Sequence, residues 1–191
     1  MSWLGDSAAL AILTFDVDAE APFLVEGRRH ALNPAAMSHQ AYGPLVGVPR
    51  ILDLLAEHGL RYDSTLMDDD RPYVLETAHG PLAELPPHWS LDDWNQYMYL
   101  PEPRSGSGTI QPPSRAARLW REELDGTRRH GCLFVLTMHP FLSGRPGRVE
   151  ALRTLVEHAL DAGDVEFVSC AEAARRTLAD ESLPRRSLRR Y

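Results

Sequence analysis

Lysine is absent: all 20 of the lysine-plus-arginine positions are Arg. That excludes a Schiff-base mechanism and a lysine general base. Positive charge is also the minority sign, with a net charge of −7, which argues against broad nucleic-acid binding. The one locally basic stretch, Arg185-Arg186-Ser187-Leu188-Arg189-Arg190, reads as a frayed, solvated end. Cysteine is scarce. Cys132 and Cys170 have no CxxC partner and adjoin apolar strand patterns, so both are expected to be reduced core thiols. No apolar run reaches membrane-spanning length, so no membrane span is expected. Residues 1–13 lack a basic leader, and their apolar run is too short for a signal peptide. A cytoplasmic protein is the expectation.

With 191 residues, 43% of them hydrophobic, the chain can build a single domain (1–191) around one core. It is short for a complete (β/α) barrel, which typically takes about 250 residues. Strand patterns fall over 8–15, 61–66, 82–85, 133–139 and 165–168. Helical patterns fall over 48–58, 114–129 with Ser114 as cap, 146–162, and 170–178 with Ser169 as cap. Residues 67–73 read as a polar turn, 20–42 as a long irregular segment and 101–113 as a flexible loop; 1–7 and 180–191 read as flexible ends. The alternation of strand and helix is α/β.

Chemistry gathers where two of these strands stop. The run Leu13-Thr14-Phe15-Asp16-Val17-Asp18-Ala19-Glu20 passes from apolar to acidic, and on extended chain Asp16 and Asp18 share a face. Leu133-Phe134-Val135-Leu136-Thr137-Met138-His139-Pro140 ends in a single imidazole, with Pro140 stopping the strand. If both strands join one parallel sheet, Asp16, Asp18 and His139 emerge on one rim. Two carboxylates and an imidazole there suit metal-assisted hydrolysis. Trp89 and Trp94 lie beside Asp92 and Asp93, an arrangement that grips sugar or planar rings, or else both rings are core. Arg145 is a candidate anion or carbonyl contact.

The sequence resembles the polysaccharide deacetylase (NodB-homology) family, in the subgroup that opens on "TFDVDAE" and includes cytosolic deacetylases and cyclic amidases. The likeness rests on Thr14-Phe15-Asp16-Val17-Asp18-Ala19-Glu20 and on residues 43–52. It continues in Tyr62-Asp63-Ser64-Thr65-Leu66-Met67 with Asp69-Asp70-Arg71-Pro72-Tyr73. Leu85-Pro86-Pro87-His88-Trp89-Ser90-Leu91-Asp92-Asp93-Trp94 and Thr137-Met138-His139-Pro140 with Gly144-Arg145-Pro146 complete it. The resemblance implies a (β/α) barrel that hydrolyses a non-peptide C–N bond in an N-acetyl sugar or a cyclic imide or amide. It implies Asp18 as a ligand of a divalent metal such as zinc, Asp16 as base and His139 as acid. Trp89, Asp93, Trp94 and Arg145 are then substrate-binding, Asp93 and Trp94 forming one groove wall.

One family feature has no counterpart. No two of the eight histidines are closer than nine residues, so no His-x-x-x-His pair exists to supply two metal ligands. Leu54-Leu55-Ala56-Glu57-His58-Gly59-Leu60 runs straight into Arg61-Tyr62-Asp63-Ser64, where the family carries further elements. The expected fold is therefore a partial or distorted barrel lacking several central elements. Two functions follow. One is a metal-dependent hydrolase whose ligand set is completed by His88, Asp69, His39 or a second subunit. The other is a truncated, non-catalytic remnant that acts by binding or by self-assembly, with homo-oligomers expected from open sheet edges.

Overall fold

The computed structural model describes residues 2–15, 62–99 and 110–187. In chain order its elements are β1 (Ala9–Phe15), β2 (Tyr62–Asp63), β3 (Tyr73–Thr77), β4 (Gly80–Glu84), α1 (Trp94–Tyr97) and α2 (Pro113–His130). Then follow β5 (Leu133–Met138), α3 (Pro140–Ser143), α4 (Pro146–Ala162), β6 (Val165–Phe167), α5 (Cys170–Ala179) and β7 (Arg185–Ser187). The helix expected over 48–58 and the long segment 20–42 lie outside the described residues.

β1 is the centre of an all-parallel sheet ordered β5-β1-β6. Parallel strands covered on both faces read as continuous apolar runs, which is why 9–15 and 133–138 carry so few polar residues. Alternate side chains divide between two cores. Ala11, Phe134, Leu136 and Met138 pack under Trp120 and Leu124 of α2 and Leu155 and Ala159 of α4. Leu10, Ile12, Leu133 and Val135 pack against Trp3, Leu85, Ala173 of α5 and Leu183. A second sheet, ordered β2-β4-β3-β7, is mixed. The fold is thus mixed α/β, and neither sheet closes on itself; the described strands do not assemble the expected barrel.

Several boundaries differ from the sequence reading. α2 begins at Pro113, with Pro112 rather than Ser114 at the cap; proline's fixed φ and missing N–H suit a first helical position. Gly131, at φ 61°, ends it. α4 keeps the bounds read from the sequence; its buried stripe is Ala151, Leu155 and Ala159, and Val149 and Leu160 face solvent. The short helix α3 follows directly on β5, over Pro140–Ser143. The hairpin β3–β4, joined by Ala78 and His79, replaces the single short strand expected over 82–85, and Gly80 adopts φ 122° just beyond that turn.

The ends also depart from expectation. Trp3 is buried, and its amide donates to Asp180 Oδ2 at 2.8 Å. The arginines expected in a frayed tail form β7 as far as Ser187, parallel to β3. Arg185 pairs with Glu76 at 2.7 Å, and Arg186 pairs with Asp68 and Asp69 while its guanidinium lies 4.1 Å above the Tyr73 ring. Acids on the neighbouring strand and loop give these charges partners that a sequence pattern does not reveal. Cys132 and Cys170 are free thiols, half-buried rather than fully in the core. No described helix is long and apolar enough to cross a membrane.

Candidate active site

β1 and β5 run in register to their ends, with Phe15 opposite Met138. The next residues in the chain are Asp16 and His139. Asp16, Asp18 and His39 lie outside the described residues.

His139 closes β5 and caps α3 with extended backbone (φ −107°, ψ 119°). Its ring is buried, and so is Asp93, which has no exposed surface. The Asp93 amide donates to Thr137 O at 3.1 Å, and Asp92 bridges to Thr137, so the 89–97 segment is pinned along β5. This places the Asp93 carboxylate under the strand end, where it accepts from His139 three times. The backbone N–H reaches Oδ1 at 3.1 Å and Oδ2 at 3.0 Å, and ring Nδ1 lies 2.6 Å from Oδ1. Ser143, one turn of α3 further on, donates its hydroxyl to Oδ2. A carboxylate only accepts, so Nδ1 is the protonated nitrogen and acid–base chemistry falls to Nε2.

The surroundings sort the other candidates. The Trp94 ring stands 5.3 Å from the imidazole, tilted by 58°, and its amide donates to Asp92 Oδ1. Trp89 is 70% exposed, with its carbonyl held by Asn95. Arg145 is exposed at the N-cap of α4. Asp93 is therefore a buried partner of His139 rather than part of an open wall. Tyr97 is buried below, under the Arg148 guanidinium, and burial pushes its phenol up to about 12; it stays protonated at neutral pH. His88 and Asp69 do not join the cluster. They line a separate cavity of about 230 Å³ with Leu133, at the opposite end of β5 from His139. Ser143 escaped the sequence reading, although its place four residues after a strand-end histidine followed by proline is a usable signal.

Asp92, Asp93 and His139 offer donor atoms that all lie within 4.8 Å of one another, a spacing consistent with a divalent ion and not specific for zinc. As arranged, the group is hydrogen-bonded internally. Nδ1 spends its proton on Asp93, and both Asp93 oxygens already accept. A catalytic zinc normally takes three protein ligands and keeps one position open, and the described residues do not present that set.

No family model matches the sequence. The crystal structure of a protein assigned as a polysaccharide deacetylase from Mycobacterium smegmatis is 33% identical, with a TM-score of 0.74 over 100% of this chain and 97% of that one. The peptidoglycan deacetylase of Helicobacter pylori is 25% identical over 148 residues, 64% of this chain and 50% of that protein. The chain thus spans about half the length of this curated relative. A crystal structure of an allantoinase, 23% identical with a TM-score of 0.58, covers 71% of this chain and shares its fold. Fold and sequence together define a mixed α/β protein of the deacetylase kind. The chain belongs to the polysaccharide deacetylase family.

Proposed function

We propose that the protein hydrolyses a non-peptide C–N bond, in an N-acetyl sugar or a cyclic imide or amide. The observation that carries this reading is the buried Asp93–His139 pair at the end of β5, beside the strand that leads into Asp16. Asp16 is the base that takes a proton from water as its oxygen attacks the substrate carbonyl. His139 Nε2 is the acid that protonates the nitrogen as the C–N bond breaks. Asp93 holds Nδ1–H and stabilises the imidazolium between turnovers, the division of labour seen wherever a carboxylate orients a catalytic histidine. Trp89 and Trp94 offer ring faces for a saccharide, and Arg145 a cation for its carbonyl or an anionic group. A divalent metal, zinc in the family resemblance, would use Asp18 and would polarise the carbonyl and activate water.

The protein is incubated with N-acetylated oligosaccharides, peptidoglycan fragments and cyclic imides or ureides, with and without added divalent metal. Released acetate or ring-opened product is measured. Turnover of one class, lost in Asp16→Asn and His139→Ala, is the expected result. Folded protein with no turnover on any of them would overturn the enzyme reading. The second reading, a non-catalytic family member acting by binding or self-assembly, is favoured by the missing His-x-x-x-His pair. It predicts saccharide binding without hydrolysis and an assembly larger than a monomer. A cytoplasmic place of action belongs to both readings.

A further inference from the structure

The second sheet carries two acids where a sheet interior ordinarily has none. Asp63 of β2 and Glu84 of β4 are register partners across the parallel pair, so their side chains leave the same face. Glu84 is fully buried. One oxygen of each carboxyl is satisfied: Glu84 Oε1 accepts from the amides of Thr65 at 3.0 Å and Leu66 at 2.9 Å, and Asp63 Oδ1 accepts from Thr65 Oγ1 at 2.7 Å. The other oxygens, Asp63 Oδ2 and Glu84 Oε2, are buried with no donor.

Two buried carboxylate oxygens that lack donors, on register partners facing the same way, are costly, both for lost hydration and for like charge. One hydrogen bond between them removes both costs, provided one carboxyl keeps its proton. We infer that Asp63 and Glu84 share a single proton between Oδ2 and Oε2, and that this proton fastens β2 to β4.

No other group among the described residues replaces it. From β3, Tyr73 faces Glu84 as its register partner, but its hydroxyl donates to Asp68 at 2.6 Å. Arg186 of β7 lies over the Tyr73 ring and pairs with Asp68 and Asp69. On the far face α5 packs through Cys170 and Ala173 against Tyr62 and Leu85. Its charged groups are occupied: Arg175 and Arg176 pair with Glu172, and Arg176 also with Glu166. Burial, and next the Asp63 carboxylate, push Glu84 up to about 9, consistent with a proton retained at neutral pH.

The folded chain then holds a proton that the unfolded chain releases above the ordinary carboxylate range. Stability from the pair is full below that range and declines as pH rises to about 9. Above it two negative charges face each other across β2–β4. β2 is two residues long and, among the described strands, pairs with β4 alone, so it is the element set free.

The full chain is followed by infrared spectroscopy and by thermal unfolding across the neutral-to-alkaline range. A protonated-carboxyl band present at neutral pH, lost on titration to alkaline pH and absent in Glu84→Gln, is the expected spectrum. The fall in melting temperature with rising pH is expected to be at least halved in Glu84→Gln, whose amide donates to Asp63 without titrating. Absence of the band in the wild-type protein at neutral pH would overturn the inference, as would parallel melting curves in the two proteins. The infrared arm needs the wild-type chain alone, so it decides the matter even if Glu84→Gln does not fold.

Discussion

Asp93 grips His139 at two places, the backbone amide and ring Nδ1, so that one carboxylate fixes both the position of the strand end and the tautomer of the imidazole. Asp93→Asn keeps the shape but offers an amide in place of the acceptor. Under the proposed mechanism kcat/KM is expected to fall by about 10²–10⁴-fold, the range over which a positioned acid contributes. Steady-state kinetics on the active substrate class check it. A loss smaller than tenfold would remove Asp93 from the proposed mechanism.

Gly144 ends α3 against the Pro140 carbonyl. A Cβ there would stand 2.4 Å from Pro140 O, a backbone atom with nowhere to go. Gly144→Ala is expected to destabilise the protein by about 1–3 kcal/mol and to disturb the Ser143–Asp93 bond. Thermal unfolding measures the first effect; an unchanged midpoint would show that the turn can shift without cost.

Trp89 is exposed and touches little that folding depends on. Trp89→Ala is expected to leave stability within about 0.5 kcal/mol while weakening saccharide binding by roughly tenfold, about 1.4 kcal/mol. Calorimetric titration with an N-acetylated oligosaccharide separates the two. Equal affinity in both proteins would take Trp89 out of the substrate surface.

Acid is expected to destabilise the protein through a different set of groups. Arg128 holds the Asp164 carboxyl low, Arg176 does the same for Glu166, and the Ser182 hydroxyl and amide with the Trp3 amide hold Asp180 low. Each depressed carboxylate stabilises the fold above its unfolded pKa, and that contribution is lost as pH falls through the folded value. The melting temperature should therefore drop as pH is taken below the ordinary carboxylate range. Asp180→Asn should flatten that drop, and an unaltered acid limb would show that the Trp3–Asp180 contact carries no linkage.

The proposed metal role of Asp18 gives a separate expectation. Purified protein should carry about one divalent ion per chain, lost on acidification as its ligands take up protons, and Asp18→Ala should carry none. Elemental analysis of both proteins reads this directly. Metal retained undiminished in Asp18→Ala would assign the ion to another site.

The legible parts of this fold were those where burial acts on both faces. β1 and β5 declare themselves because each is a nearly continuous apolar run broken by one threonine (Thr14, Thr137), and the first titratable residues beyond them mark the rim. α4 was legible to the residue because Pro146 and Gly163 bracket it. The β3–β4 hairpin was hidden because its strands are short and its turn, Ala78-His79, carries none of the Asn-Gly chemistry that announces a tight turn. β7 was hidden because two arginines in a row read as solvated charge; only the fold brings Glu76, Asp68 and Asp69 alongside. Asp93 stood out in sequence, but its burial depends on the Thr137 contacts, and those are tertiary. The role of Ser143 arises in the same way, from one turn of α3.

β1 is flanked on both sides by strands that follow it far along the chain, β5 and β6. A ribosome therefore releases this apolar segment long before either neighbour exists. Pairing so remote in sequence makes for slow folding, because loop closure comes before any contact rewards it. Until Met138 and Phe167 have been synthesised, residues 9–15 are an unpaired hydrophobic strand in the nascent chain, the kind of segment that chaperones bind and that aggregates when they do not.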